Sequence, residues 1–277
     1  MKKQLIYIGL FGLLTAYLSA PAMADTERLE RAISGQHRSA EWTERDVYRN
    51  PLQTLKLFDV QADHTVLEIW PGGGWYTEIL APYLRDNGQL IAAHYDSKDV
   101  QADYRPRSRA GFEEKMAADP AVYDKVTISS LMINEKDQSV TMRAAAPESV
   151  DRVVTFRNAH GWHAKGITDV MLEHFFDILK PGGKLGIVQH MADPEQDWMN
   201  RNIGYVGREY IINHAIKAGF QLETEGFFNR NSLDTKRYTK GVWQLPPALR
   251  DLNSDAEKAP YLAIGESNRM TLVFAKP

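Results

Sequence analysis

The chain has 277 residues, 43% of them hydrophobic and 25% charged, with a net charge of −3, so it can bury a large core and is expected to form one domain with decorations. It has no cysteine, which excludes disulfides, thiolate zinc sites and a lipid-modified cysteine. It also has no basic run, which argues against a nucleic-acid partner.

The first residues read MKKQLIYIGLFGLLTAYLSAPAMA. Lys2 and Lys3 precede an apolar run, and Ala22-Met23-Ala24 has the small-x-small pattern of a signal-peptidase site. Residues 1–24 are therefore expected to be a signal peptide cut before Asp25. The mature protein would be periplasmic or secreted, with no stable membrane association. The alternative is an uncleaved anchor, because the run from Leu5 to Ala20 is only slightly short of the roughly 20 residues that span a bilayer. An exported chain without cysteine points to a bacterial periplasm.

Residues 25–64 are expected to form an N-terminal helical cap. Trp42, Val47, Leu52, Leu55 and Phe58 are its candidate buried positions, and Pro51 marks a break or a helix start. From Thr65 the pattern changes to short apolar runs separated by helical stretches. TVLEIW, LIAAHYD, VTISSLMI, DRVVTF, KLGIVQH, FQLETEGFF and RMTLVFA give seven candidate strands. YTEILAPYL places Ile79, Leu80, Tyr83 and Leu84 on one helical face, and ITDVMLEHFFDIL does the same with Val170, Leu172, Phe175, Phe176 and Leu179. YVGREYIINHAIKAGF ends at Gly219, a helix C-terminus signal. Strands alternating with helices predict an α/β fold with a seven-stranded, mostly parallel sheet and helices on both faces.

The last two strands are joined by the long polar segment 229–267, in which no helix long enough to cover a sheet is evident. They are therefore free to pair antiparallel, and DTKRYTKGVWQLPPALR within the segment reads as an ordered lid. Ligands of open α/β sheets bind at the carboxyl ends of the strands. The residues there are Pro71 to Trp75, Asp96, Asn158 to His163, and His190.

Gly72, Gly73 and Gly74 follow the first strand and precede a helix. They permit a tight turn and leave the helix N-terminus open to an anionic group. Asp96, at the end of the second strand, can accept both hydroxyls of a ribose. Loop and acid together point to a nucleoside cofactor.

At these residues the sequence resembles the class I S-adenosylmethionine-dependent methyltransferases. VLEIWPGGGWYTEILAPYL is similar to the first motif of protein-isoaspartate methyltransferases, and AAHYD and LKPGGKLGIVQH extend the likeness. The order of elements over 65–277 also fits. The resemblance implies a Rossmann-like class I fold with an antiparallel last strand, and S-adenosylmethionine as cofactor. It makes Glu68 the acid of the first motif, places Gly72 and Gly74 beside the methionine part of the cofactor, with Gly73 in the same cofactor-binding loop, and makes Asp96 the ribose ligand. Asn158 joins this set from the fourth-strand motif.

Two positions depart from the family. Trp70 stands at the usual first glycine, and Asn158-Ala159-His160 replaces an Asn or Asp followed by Pro-Pro and an aromatic. The second departure argues against methylation of adenine or glutamine amino groups. Pro71 is expected to hold Trp70 extended, with its indole as a side wall of a narrowed but open pocket.

Methyl transfer from a sulfonium needs alignment and, for an oxygen or carbon acceptor, a base. His160 and His163 in FRNAHGWHAKG are the candidate catalytic residues. His190 could join them in one crevice, as bases or, with a carboxylate, as a metal site. No metal ligand is assigned, and loop histidines of this kind also serve simply as hydrogen-bond partners. Arg157, Trp162, Arg230, Arg237 and Trp243 are further pocket candidates, while Met171, Met191 and Met199 read as core filler.

The expected function is methyl transfer from S-adenosylmethionine to a small-molecule acceptor. Two other readings stay open: a non-catalytic binder of a nucleoside or anionic metabolite that keeps the fold, and a histidine-based metal hydrolase.

Overall fold

The computed structural model describes residues 20–196, 198–199 and 202–277. Residues 1–19, most of the expected signal peptide, lie outside the described residues, as does most of the apolar run from Leu5 to Ala20. Among the described residues no helix is long and apolar enough to cross a membrane.

Four helices open the described chain: α1 (Ala20–Ile33), α2 (Ala40–Thr43), α3 (Asp46–Arg49) and α4 (Pro51–Leu57). Pro51 takes the first helical position of α4, where its missing N–H costs nothing and its fixed φ suits the helix. Leu55 and Phe58 are buried as expected, but Val47 is 73% exposed. The single turn of α3 buries Arg49 instead.

The sheet contains β1 (Thr65–Ile69), β2 (Gln89–His94) and β3 (Thr127–Ser130), followed by the short hairpin β4 (Met132–Ile133) and β5 (Val140–Met142). It continues with β6 (Val150–Phe156), β7 (Leu179–His190), β8 (Gln221–Gly226) and β9 (Arg269–Ala275). The seven-stranded order is β3-β2-β1-β6-β7-β9-β8. β9 is antiparallel to both of its neighbours, and the other neighbouring pairs are parallel. VTISSLMI, expected as one strand, divides at Leu131, and its second part enters the hairpin.

The remaining helices are α5 (Thr77–Leu84), α6 (Tyr104–Ala118), α7 (Pro120–Tyr123), α8 (Ala159–Ala164), α9 (Thr168–Ile178), α10 (Arg208–Lys217) and α11 (Asp255–Ile264). Strand alternation divides the core into two layers. Leu67, Ile69, Val153, Leu185 and Ile187 face α9 and α10 through Met171, Phe175 and Ile211. Val66, Leu90, Val154 and Val188 face the other way, onto Leu29, Leu55, Ile79, Leu80, Tyr83 and Phe112 of the N-terminal helices, α5 and α6.

Helix α5 carries Pro82 in its interior, so the carbonyl of Glu78, four residues earlier, has no helical N–H to accept from. His37, in the loop after α1, takes that place, with Nε2 2.7 Å from the Glu78 oxygen.

Candidate functional site

The chain leaves β1 for β2 and β3 on one side and returns to β6 on the other, so β1 and β6 flank the topological switch point. A cavity of about 320 Å³ lies at their carboxyl ends, where this architecture holds its ligands. Its floor is Trp70 to Gly73, and its wall is Phe156, Arg157, Asn158, His160 and His190. The N-terminal helices add Trp42, Arg45 and Arg49, and the start of β9 adds Ser267 and Arg269. Val242, Trp243 and Leu245 to Ala248, from the long segment before β9, complete the lining.

The glycine loop is held from several sides. Gly72 and Gly74 have φ of +60° and +85°, a region that side chains strain to enter. A Cβ on Gly74 would come within 3.0 Å of the Phe112 ring of α6, whereas one on Gly72 would meet nothing within 4 Å. Lys115 of α6 donates to the Gly73 carbonyl at 3.2 Å and pairs with Glu78 at 2.7 Å. His94 Nε2 lies 3.3 Å from the Gly72 carbonyl.

Glu68 sits beneath this loop and does not line the main cavity. It is buried and accepts from Thr77 Oγ1 of α5 at 2.6 Å. Burial raises its pKa to about 7, against the opposing Thr77 hydrogen bond and the Lys115 charge. Its position makes it a tie between β1 and α5.

Trp70 corrects one expectation. Its φ is +43°, so the residue before Pro71 is left-handed and not extended, a strained state for an aromatic residue. The strain is held by bonds to residues distant in sequence. Trp70 N donates to the Ala93 carbonyl at 2.8 Å, and Asn158 Nδ2 reaches the carbonyls of Ile69 at 2.8 Å and Trp70 at 3.4 Å. The indole lies against Tyr95, with ring centroids 5.0 Å apart, and its Nε1 donates to the Leu131 carbonyl at 3.4 Å. It forms a wall of the cavity on the side of β2 and β3.

Asp96 stands next to Tyr95 and does not line the cavity. It accepts from Lys98 N at 2.8 Å and from Ser130 Oγ at 3.1 Å. The structure thus separates the expected cofactor residues into two groups: Gly72, Gly73 and Asn158 line the cavity, whereas Glu68, Gly74 and Asp96 do not.

The histidines also divide. His160 and His190 both line the cavity, with ring centroids 5.9 Å apart. His163 turns away, packs on Trp198 and Tyr210, and lies 3.2 Å from the Met199 carbonyl. Burial, with help from the Arg157 charge, lowers the His160 pKa to about 4. Burial and Arg269 hold His190 well below its ordinary value, and His190 Nδ1 bonds Ser267 Oγ. Both imidazoles are neutral at pH 7. Among the described residues no group of three or more His, Cys, Asp or Glu could hold a metal ion.

Of the other pocket candidates, Arg157 and Trp243 line the cavity, and the Trp243 ring stands edge-on to His160 at 5.9 Å. Trp162 is core, packed on Phe175, and Arg230 and Arg237 lie elsewhere. Met171 is core as expected, but Met199 is exposed.

Sequence reasoning missed Arg45, Arg49, Glu266, Ser267 and Arg269. The four-residue spacing of Arg45 and Arg49 was a signal that they share one face. The cluster ESNR immediately before the last strand was another, because an antiparallel last strand begins at the edge where its parallel neighbours end.

Comparison with known proteins supports the architecture. The fold matches an S-adenosylmethionine-dependent methyltransferase from Aquifex aeolicus with a TM-score of 0.53 and 13% identity, covering 91% of this chain and 99% of that one. It matches the [4+2]-cyclase SpnF with a TM-score of 0.54 and 14% identity over 93% and 94% of the two chains. It also matches CrArsM, an arsenic(III) S-adenosylmethionine methyltransferase from Chlamydomonas reinhardtii, at 0.50 and 12% identity over 90% and 73%. No family model and no curated protein matches the sequence. The chain has the class I methyltransferase fold, and because that fold also carries a cyclase, the activity has to be argued from the site.

Proposed function

We propose that the chain is an S-adenosylmethionine-dependent methyltransferase acting on a small molecule. The observation that carries this reading is the cavity at the switch point between β1 and β6, floored by the glycine loop. One feature at the cavity fits the cofactor: the open face of Gly72 leaves room for a ligand against the backbone. Asp96 lies outside the cavity, and its carboxylate, with two hydrogen bonds, keeps lone pairs for the ribose hydroxyls of a cofactor that extends past Trp70 toward β2. When bound, the cofactor supplies a methyl group on a sulfonium sulfur. His160, as a neutral imidazole, can accept a hydrogen bond from an acceptor hydroxyl and take its proton as the methyl group arrives. Asn158 fixes the Trp70 carbonyl and thereby the wall against which the ligands align. The cavity, at about 320 Å³, is at the small end of the ligand-site range of ~300–1,000 Å³.

Calorimetric titration with S-adenosylmethionine and its demethylated product tests the reading. Micromolar binding that weakens by about 1.5–3 kcal/mol in Asp96→Ala, the scale of hydrogen bonds to a charged group, is the expected result. Absence of binding up to millimolar concentration would replace the enzyme by a binding protein on the same fold. We further propose, on the leader pattern alone, that the chain is exported. Intact mass of protein from the periplasm should then correspond to a chain beginning at Asp25.

A further inference from the structure

Four guanidinium groups meet at the cavity, and among the described residues a single carboxylate answers them. Glu266, with its side chain 1% exposed, pairs with Arg45 at 2.7 Å and Arg49 at 3.1 Å, and also with Arg269. Arg157 lines the same cavity, and its side chain has no hydrogen bond or ion pair among the described residues. Four cations against one anion leave three positive charges in excess, and the neutral His160 and His190 do not change that sum. The chain as a whole carries −3, so the surplus is local.

Such a surplus is costly without a partner, because buried charges are stable when they are paired. The donors also outnumber the acceptors. Arg45 Nη2, Arg49 Nη2 and Arg269 Nε are buried without a hydrogen-bond partner. Burial, followed by the neighbouring Arg269 charge, pushes the Arg157 pKa down to about 10, and burial followed by Arg157 lowers that of Arg49 well below its ordinary value. The backbone contributes a second sign. Arg157 has φ +64° and Trp70, at the end of the neighbouring strand, has φ +43°. Strain of this kind persists where the surroundings impose it, and it is concentrated at ligand sites.

We propose that the cavity binds a small polyanion, a molecule with two or more carboxylate or phosphate groups, with Arg157 as the free anchor and Arg49 and Arg269 beside it. That this polyanion is the methyl acceptor rests on the methyl-transfer reading; that it binds does not. Planar guanidinium groups match carboxylate and phosphate oxygens in pairs, and the cavity volume suits a small molecule.

Calorimetry of the purified protein with citrate and, separately, with inorganic pyrophosphate, both without cofactor, tests the proposal and distinguishes the two kinds of anion. At least one should bind, and Arg157→Gln should weaken it about tenfold or more, which is about 1.4 kcal/mol. The ligand-free melting temperature of Arg157→Gln should stay at or above that of the native protein, since the variant removes an uncompensated charge. Should the variant fail to fold, the native protein still decides, because the binding anion must raise its melting temperature more than sodium chloride of equal ionic strength does. Neither anion binding up to about 10 mM, undiminished affinity in folded Arg157→Gln, or an equal effect of sodium chloride would overturn the proposal. Anion binding without cofactor binding would keep it and remove methyl transfer; cofactor binding without anion binding would do the reverse.

Discussion

His37 illustrates how a single residue repairs a local conflict. YTEILAPYL is helical by its apolar pattern, and Pro82 within it removes one backbone donor. The repair comes from a loop 41 residues away, and nothing in the helix itself announces it. His37→Ala should leave the Glu78 carbonyl unpaired in a buried setting and destabilise the fold by about 1–3 kcal/mol, measured by urea denaturation. A loss below a few tenths of a kcal/mol would mean that water replaces the imidazole. Trp70 is the opposite case. That it replaces a loop glycine was legible, and so was its place as a wall, but its left-handed backbone was not. The preference imposed by Pro71 was overridden by the hydrogen bonds to Ala93 and from Asn158, which are long-range and invisible in a local reading.

Among the elements, those with an apolar stripe were readable and those without one were not. The buried positions of α6 are Arg105, Arg109, Phe112 and Met116, so half of its inner face is charged and no hydrophobic period marks it. Arg109 is accepted there by the carbonyls of Tyr95 and Ser129, at 3.1 and 3.0 Å. Helix α11 buries none of its residues, so no core-facing stripe marks it, and Pro260 stands inside it. Its N-terminus was nonetheless written in the sequence as Ser254-Asp255-Ala256-Glu257, a capping box in which Glu257 N donates to Ser254 Oγ at 3.3 Å.

The contact between α3 and the start of β9 joins residues more than 200 positions apart, beyond what periodicity can supply. Its hub is Glu266. Burial raises the pKa of this carboxyl, but Arg269, Arg49, Arg157 and Arg45 outweigh burial and hold it well below the carboxylate range. Glu266→Gln should therefore cost about 3–5 kcal/mol, the scale for breaking a buried ion pair from one side. Chemical denaturation at pH 7 measures it, and a neutral result would mean that the four arginines rearrange to reach water.

For the whole molecule, the topology was legible because strands and helices alternate and the sheet imposes parallel crossovers. The cavity was legible only in part, since three of its four charged lining residues, Arg45, Arg49 and Arg269, come from the cap and from the start of the last strand. Charge also sets how the molecule responds to acid. Burial lowers the pKa of His94, His160 and His174 to about 4, and holds that of His190 well below its ordinary value. Between pH 6.5 and 4 the unfolded chain therefore binds more protons than the folded one, and stability falls as pH falls. Glu68 acts in the opposite sense. Its folded pKa is raised to about 7, so between pH 7 and 4.5 it favours the folded state as pH falls. His94, His160 and His174, each contributing at most about 3 kcal/mol for a shift of this size, outweigh one carboxyl, and His190 acts in the same direction. The melting temperature should drop clearly from pH 7 to pH 4.5; an unchanged or higher value would mean that these imidazoles are solvated and charged.

Methyl transfer at the cavity between β1 and β6 is tested by incubating the protein with methyl-labelled S-adenosylmethionine and a pool of small carboxylic and phosphorylated metabolites. Label should appear in a low-mass acid, formed together with the demethylated cofactor, and turnover should fall roughly 10²–10⁴-fold in His160→Gln. Recovery of all the label in unchanged S-adenosylmethionine, with no product across the pool, would contradict it.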